Sequence, residues 1–466
     1  MKLSYIYRRL IYFGTFNVLL INLMGCKKFL DIPAPKDQIQ TSEIFDNDQA
    51  AVSAITGLYS LMLSSSLWPS NGGMTVFSGL SADEIYPVAP TTEIVDFANN
   101  NLQPTNDNIN SYLWSHTYRT IYNANAILEG LNKSQNLSEN IKRQLKGEAL
   151  LVRALHFFYL TNMYGKIPLT TTTNYDLNKT LPRSGLDEIN QLLLTDLIEA
   201  KSLLNQHYPT SGRVRPNKWA AAALLARAYL YQNKWQQAET EATEIINSGI
   251  YNLPIDLNDV FLASSSETIW SLMQEKSNTS EAKIFIPIFS FSTPNYNLRD
   301  TLLNLFEAAD QRKSKWVGSN IVGGQTYYYP NKYKKGYDFS SPPPPVTEHY
   351  VVFRLAEQYL IRAEARAQQN NFAGSLSDIN LIRSRAGLSQ TMANDNASLL
   401  SAIEHERRIE LFTEWGHRWF DLKRWGRAGA ALSVLKAPNW QNTDVLYPIP
   451  LSQMQANTFL TQNPGY

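Results

Sequence analysis

Few stretches of this 466-residue chain combine residue types and spacing that could do chemistry. His405-Glu406 is half of the His-Glu-x-x-His zinc motif, but the position of the second histidine is Ile409. Glycoside hydrolysis needs one carboxyl held protonated at a set distance from a second, and no loop constellation singles out such a pair. A Gly-x-Ser-x-Gly elbow, a phosphate loop and a free thiol nucleophile are all absent from the sequence. These patterns predict no catalytic residue, no metal and no cofactor. What the chain does have is aromatic residues, with 25 Tyr, 19 Phe and 10 Trp. Many rings must serve the core, and a surplus is what a sugar or peptide binder displays. In one loop-rich stretch Trp68, Tyr86 and Phe97 lie near Asp83 and Asn99-Asn100-Asn101, and in a second stand Tyr296, Trp316 and Tyr327. These are the candidate ligand-binding residues. Trp219, Trp415, Trp419 and Trp425 fall inside helical patterns and are assigned to packing, and Asp310-Gln311-Arg312 reads as a local ion pair.

The one cysteine points to a different chemistry. Lys2, Arg8 and Arg9 precede an apolar run over 10–24 that ends Leu23-Met24-Gly25-Cys26. This has the form of a secretory signal. The run is 15 residues long and carries Asn17 and Asn22, short of the roughly 20 apolar residues a spanning helix needs. An exported chain with a single thiol builds no disulfide framework, so Cys26 after a small residue reads as a bacterial lipobox. Residues 1–25 are then a lipoprotein signal peptide, and Cys26 becomes the acylated first residue. Several acyl chains there exceed what stable membrane attachment requires. Without the three basic residues of the signal, 39 Lys and Arg face 41 Asp and Glu, a balance with no basic excess for nucleic acid.

The elements that must position the candidates follow from periodicity. Residues 26–41 are polar and proline-bearing, a tether. A first helix is predicted to start near 42–46, with Ala51, Ile55, Leu58, Tyr59 and Met62 at helical spacing. Residues 64–73 hold Pro69 and Gly72-Gly73 and must break it. Further helices are predicted over about 111–132, 138–163 and 189–204. A helix pair over 218–248 has Ala226, Tyr229, Ala238 and Ala242 at steps of 3, 9 and 4, the packing positions of a tetratricopeptide repeat. Ala363, Ser375 and Ile382 mark a second copy, with Ser375 in place of the usual alanine. One such pair cannot bury its own apolar face, so several must stack. The segment 251–346 differs, with a strand-like run over 268–273, many aromatics and four prolines at 342–345. It reads as an irregular insertion draped over the helical frame, where binding residues concentrate. Glu406, Glu410 and Glu414 line one helical face, and Arg407, Arg418 and Arg424 can pair with them or with Asp421, a scaffold ladder.

Five motifs in order give the chain its likeness. They are Phe29-Leu30-Asp31; Arg153-Ala154-Leu155-His156-Phe157-Phe158 running into Tyr164-Gly165-Lys166-Ile167-Pro168-Leu169; Arg354-Leu355-Ala356-Glu357 with Arg383-Ser384-Arg385-Ala386-Gly387-Leu388; Glu406-Arg407-Arg408-Ile409-Glu410-Leu411 through Arg424-Trp425; and Tyr447-Pro448-Ile449-Pro450 with Asn463-Pro464-Gly465-Tyr466. In this order the chain resembles the SusD/RagB family over nearly its whole mature length. The resemblance implies a mostly α-helical fold of stacked tetratricopeptide-like helix pairs with a loop-rich insertion. It divides the mature chain into an N-terminal SusD-like helical region 42–250, the insertion 251–346 and a C-terminal SusD/RagB-like region 347–466. It implies a lipid-anchored protein on the outer face of the outer membrane that captures an oligosaccharide for a SusC-like TonB-dependent transporter. Peptide capture, as in the RagB branch, and a repeat scaffold without a small ligand stay open as alternatives. Asp83, after Leu80-Ser81-Ala82, resembles a family position near the ligand face, or else caps a helix end.

Overall fold

A computed structural model describes residues 44–466, so the signal segment 1–25, Cys26 and the tether 26–41 lie outside the described residues. The first helix, α1 (Asp48–Leu63), begins where Asn47 accepts the Ala50 N–H at 2.9 Å, slightly later than the periodicity alone suggests. Ala51, Ile55, Leu58, Tyr59 and Met62 form its buried face, as predicted. After it the chain turns sharply through Leu67 and Gly72, both at positive φ, and the Asn71 amide secures the turn by donating to the carbonyls of Leu63 and Ser65. A β-carbon on Gly73 would stand 2.0 Å from the Leu67 carbonyl oxygen, so only glycine allows this close return of the backbone.

Two short elements, α2 (Met74–Ser81) and β1 (Ile85–Pro87), lead to α3 (Thr92–Asn99), α4 (His116–Lys133) and α5 (Glu139–Tyr164). Gly165, at φ +71°, ends α5. Then come α6 (Tyr175–Asn178), α7 (Leu186–Leu203), α8 (Lys218–Tyr231) and α9 (Trp235–Asn247). The middle of the chain is made of β2 (Thr268–Leu272), α10 (Ser280–Phe285), β3 (Tyr296–Leu298), α11 (Asp300–Leu303), α12 (Gln311–Trp316), β4 (Val317–Val322), β5 (Gln325–Pro330) and β6 (Tyr350–Arg354). The last part carries α13 (Leu355–Gln368), α14 (Phe372–Arg385), α15 (Asn396–Glu410), α16 (His417–Arg424), α17 (Ala428–Leu432) and α18 (Leu451–Ala456).

Packing follows chain order: α4 lies on α5, α5 on α7, α7 on α8, α8 on α9, α9 on α13, and α13 on α14 and α15. That succession is a stack of antiparallel helix pairs, so the fold is mostly α and tetratricopeptide-like. Ala226, Ala238 and Ala242 are fully buried with Ile361 and Ala365, and Tyr229 covers their edge, which joins the two repeat copies in one core. Small residues there let the helix axes approach. Ser375 is accommodated because its buried hydroxyl donates to the Ala363 carbonyl at 2.7 Å, so no polar atom is orphaned. Trp219, Trp415 and Trp419 are buried, and Trp425 donates its indole N–H to Glu364 at 3.0 Å.

The strands make three two-stranded antiparallel ribbons: β1 with β3, β2 with β6, and β4 with β5. The region read as irregular therefore carries ordered ribbons, and β2 is fully buried against β6.

The acidic ladder is scaffold: Arg407 and Arg424 take Asp421, one of the expected pairings, whereas the three glutamates take other cations. Glu406 and Glu410 both receive Arg312; Glu410 also receives Arg354 and Arg385; Glu414 receives Arg354 and Lys332. Arg407 and Arg424 meet Asp421 at 2.8 and 2.7 Å, and Arg418 crosses to Asp83. Asp310 and Arg312 do pair locally, at 2.8 Å.

Candidate functional site

One surface of the middle region gathers exposed aromatic rings. Thr279 caps α10 by accepting the Ala282 N–H at 3.2 Å, and the helix stops ahead of Pro287. Beyond it the chain makes a tight turn at 289–292, where the Phe289 N–H donates to the Ser292 hydroxyl and the Ser292 N–H to the Phe289 carbonyl, each at 3.0 Å. The side-chain amide of Asn320, on β4, donates to the Phe289 and Ser292 carbonyls at 3.3 and 2.9 Å. The turn is thus fastened to the β4–β5 hairpin. Phe339 and Tyr337 arrive from the segment before the proline run, whose Gly336 lies against Ile286.

The rings stack in succession. Phe291 and Phe289 are 5.1 Å apart with planes at 5°, Phe289 and Phe339 6.3 Å apart at 21°, and Phe339 and Tyr337 6.2 Å apart at 9°. Such separations are those of offset-stacked pairs. Phe291 is 72%, Phe289 50%, Phe339 73% and Tyr337 49% exposed. Four neighbouring rings left this open cost solvation free energy, and a contiguous exposed apolar patch marks an interaction surface.

Beside this ladder the β1–β3 ribbon adds polar groups. Asn297 donates to the Tyr86 hydroxyl at 2.7 Å and accepts the Tyr328 N–H at 2.6 Å, and Arg299 lies 5.6 Å from the Tyr86 ring centre. Tyr327 stands opposite Asn320 in the hairpin register, and Tyr328 points to the other side, exposed. Loop, hairpin and ribbon are therefore one tied surface, and Tyr86 and Tyr327 belong to it.

Other sequence candidates do not. Trp316 is fully buried, its indole N–H donating to the Leu257 carbonyl at 3.0 Å and its ring packed by Phe261 and Phe412. Phe97 is buried between Phe77 and Tyr447, and Tyr296 is buried against Phe285. Trp68 is half-buried and stacked on His116 with centroids 3.6 Å apart. Phe97, Tyr296 and Trp316 serve packing, because their faces are covered, whereas Trp68 has one face on His116 and stands partly open.

Asp83 is buried too, and is neither a helix cap nor a free carboxylate. Arg418 and Arg408 bind it at 2.8 and 2.7 Å and, against the opposing effect of burial, hold its carboxyl below the usual range. Its neighbour Glu84 is pushed up to about 7, chiefly by burial. Two carboxyls driven apart in acidity are the usual mark of acid–base work. Here Asp83 is closed off by its arginines and Glu84 is buried, its carboxylate accepting the Thr413 N–H at 3.1 Å.

The ladder residues were not singled out from sequence. Phe289 and Phe291, and likewise Tyr337 and Phe339, are two apart in Ser-, Pro- and Gly-rich stretches without helical periodicity. That spacing in irregular chain, where no core face exists to absorb the rings, is the signal that could have found them.

Glu281 anchors α10 beneath this surface. Its carboxylate accepts the Thr75 hydroxyl at 3.0 Å. Burial and the charge of Glu414 push it up to about 8, against Thr75, Tyr350 and Lys332. A folded value above the unfolded one of about 4.3 means that the native state holds the extra proton, so stability falls as pH rises between the two. Glu281→Gln mimics the protonated form. Its stability relative to the parent is expected to climb through that window, on the order of 1 kcal/mol per pH unit, and to level off above about pH 8. Urea midpoints across a pH series will read this, and parallel curves for the two proteins would refute it.

Comparison with known proteins gives the class. Residues 28–230 match a family model described as starch-binding, associating with outer membrane, and residues 313–466 match that of the SusD family. A SusD-like protein of Formosa agariphila is 27% identical over 520 residues, covering 96% of this chain and 98% of its own. A SusD superfamily protein from Bacteroides vulgatus superposes with a TM-score of 0.80 at 24% identity, over 90% of this chain and 99% of the other. A laminarin-binding SusD-like protein superposes with a TM-score of 0.77 at 24% identity, over 91% and 100%. The fold and the matched segments thus place the chain among SusD-like proteins. The chain belongs to the SusD/RagB family.

Proposed function

We propose that the protein binds an oligosaccharide through the Phe291–Phe289–Phe339–Tyr337 ladder and the neighbouring Tyr86 and Tyr327, without catalysis, and passes it to a SusC-like TonB-dependent transporter. In this reading Cys26 carries the lipid that holds the protein on the outer surface of the outer membrane. The observation that carries the proposal is the ladder itself: successive exposed rings on a surface pinned by Asn320 and Asn297. Consecutive sugar units can each lay an apolar face on one ring, while Asn, Arg and Tyr groups beside it meet hydroxyls. The family description as starch-binding and the laminarin-binding structural relative support a glycan as the ligand class.

The test is calorimetry and affinity gels with laminarin, starch, other neutral polysaccharides and a tryptic peptide mixture. The parent is expected to bind at least one glycan, with little dependence on salt because the mature charge is near balance. A Phe291→Ala/Phe339→Ala double variant should lose that binding and keep its melting temperature. Binding of peptides alone, or a double variant that binds like the parent, would overturn the proposal.

A further inference from the structure

Two further cavities, which share no residue with the aromatic surface, lie end to end along α7. One, of about 370 Å3, opens between the start of α7, the ends of α5, α8 and α16 and the segment before Tyr447; the other, of about 650 Å3, opens between α7 and the α8–α9 turn. Asn190, Tyr231 and Gln232 line both, so the two form one groove. Leu186, Asn190, Leu194 and Ile198 step by four residues and present one face of α7 to it. Over that stretch the helix rises about 18 Å, the length of about five residues of extended chain. Leu186 is 49% and Ile198 53% exposed, so the apolar groups at both ends are open.

Lys423, half-buried, stands at the Leu186 end of the groove. Its ammonium donates to the Asn162 carbonyl, and among the described residues it meets no carboxylate. Burial alone pushes it down to about 7. Its neighbour Arg424, by contrast, is held by Glu364 and Asp421 at 2.7 Å each. A cation so far withdrawn from water is ordinarily paired, and one left unpaired on a cavity wall is completed by an anion from outside. The rest of the lining decides which anion. Leu186, Val445 and Leu446 lie beside Lys423, each partly or wholly exposed, and make an aliphatic pocket. In the middle of the groove the side-chain amides of Asn190 and Gln232 make no hydrogen bond among the described residues, so each offers a donor and an acceptor, the complement of a peptide unit. A platform for a sugar is missing. Tyr231 is the half-exposed ring of the lining, and Phe158 packs on it with centroids 5.0 Å apart while the Arg424 guanidinium lies 5.2 Å from its centre. A carboxylate, an aliphatic side chain and peptide units in succession are the C-terminal end of a polypeptide.

The walls are tied before any ligand arrives. Arg153 of α5 binds Asp196 of α7 at 2.8 and 2.7 Å, and Lys201 of α7 binds Glu241 of α9 at 2.7 Å. The Tyr447 N–H donates to the Met163 carbonyl at 2.9 Å, which holds Val445 and Leu446 at the end of α5. A preformed groove loses less entropy on binding than one that must assemble.

We propose that this groove docks the C-terminal segment of a partner protein in extended form, its carboxylate on Lys423, its last aliphatic side chain among Leu186, Val445 and Leu446, and its peptide units against Asn190 and Gln232. The chain of the partner leaves past Ile198, at the open end. Nothing in this depends on the ladder binding a glycan. The test titrates the mature protein into fluorescein-capped pentapeptides of varied inner sequence that end in Leu, Ile or Val, each as the free acid and as the C-terminal amide, and reads anisotropy. At least one acid is expected to bind saturably, with its amide about tenfold weaker. Lys423→Met should bring the acid down to the level of the amide without lowering the melting temperature, because the cation it removes has no counter-ion to leave behind. Asn190→Ala should weaken the acid severalfold, and the Phe291→Ala/Phe339→Ala variant should bind it like the parent. If no acid binds, if acid and amide bind alike, or if Lys423→Met keeps the preference for the acid, the docking groove is overturned whatever the ladder does.

Discussion

Glu410→Gln is expected to cost about 3–5 kcal/mol of folding stability, the penalty typical of removing one partner from a buried ionic cluster. Glu410 is fully buried at the end of α15 and is shared by Arg312 at 3.0 Å, Arg354 at 2.6 Å and Arg385. A neutral amide leaves those guanidinium groups short of one negative charge in a place water does not reach. The Glu410 backbone carbonyl, which α15 itself leaves unsatisfied, is held by Arg354 and Lys332 at 2.8 Å each, so disorder in the cluster also frees the helix end. In a chain of this length 1 kcal/mol corresponds to roughly 1 °C, so the melting temperature should fall by about 3–5 °C. The pH dependence follows in sign. Burial raises the Glu410 pKa, but Arg385, Arg354 and Arg312 outweigh it and hold the carboxyl well below the usual range. A depressed folded value contributes stability above the unfolded pKa of about 4.3, and that contribution is lost as pH falls through the folded value. The gap between parent and variant should therefore be full at pH 7 and shrink in strong acid. Urea midpoints at both pH values check it, and a gap that is equal in acid and at neutrality would refute the assignment.

That cluster also shows where sequence information ends. The four-residue step of Glu406, Glu410 and Glu414 is local, so it reveals a helical face and a scaffold role. The cations they meet are Arg312, Arg354, Arg385 and Lys332, and Arg312 is 98 residues from Glu410. No spacing rule reaches that far. The same limit separates the helices from the site. In α1, α8 and α13 the apolar or small residues recur within a few positions, and the repeat steps at Ala226, Ala238 and Ala242 carry the axis-to-axis contact in the residue types themselves. Aromatic residues of the middle region carry no such label. Trp316 and Phe339 are both rings in loop-rich surroundings, and only tertiary packing sends the first under Phe261 and Phe412 and leaves the second open. Tyr86 and Tyr327 reach the aromatic surface through a ribbon and a hairpin whose partners, Asn297 and Asn320, come from other segments.

Trp316→Ala and Phe289→Ala should accordingly have opposite effects. Removing Trp316 opens a cavity between Phe261 and Phe412, takes away the ring that Lys332 approaches to 4.8 Å and leaves the Leu257 carbonyl without its donor. Such large-to-small exchanges cost about 3–5 kcal/mol. The folded fraction should still bind glycan within about twofold of the parent, because the ladder lies elsewhere and is fixed by Asn320 and not by Trp316. Phe289 sits between Phe291 and Phe339 and is half exposed, so its loss removes little buried area and should move the melting temperature by less than about 1 °C. It does remove the ring through which the other three form one run. A central aromatic contact of this kind is worth about 2 kcal/mol, or roughly a 30-fold loss of affinity. Melting curves and calorimetric titrations of the two variants against whichever glycan the parent binds give four numbers with a crossed pattern expected. A Trp316→Ala protein that keeps its stability and loses the glycan, with Phe289→Ala unaffected in binding, would move the ligand surface away from the ladder and back to the interior of the middle region.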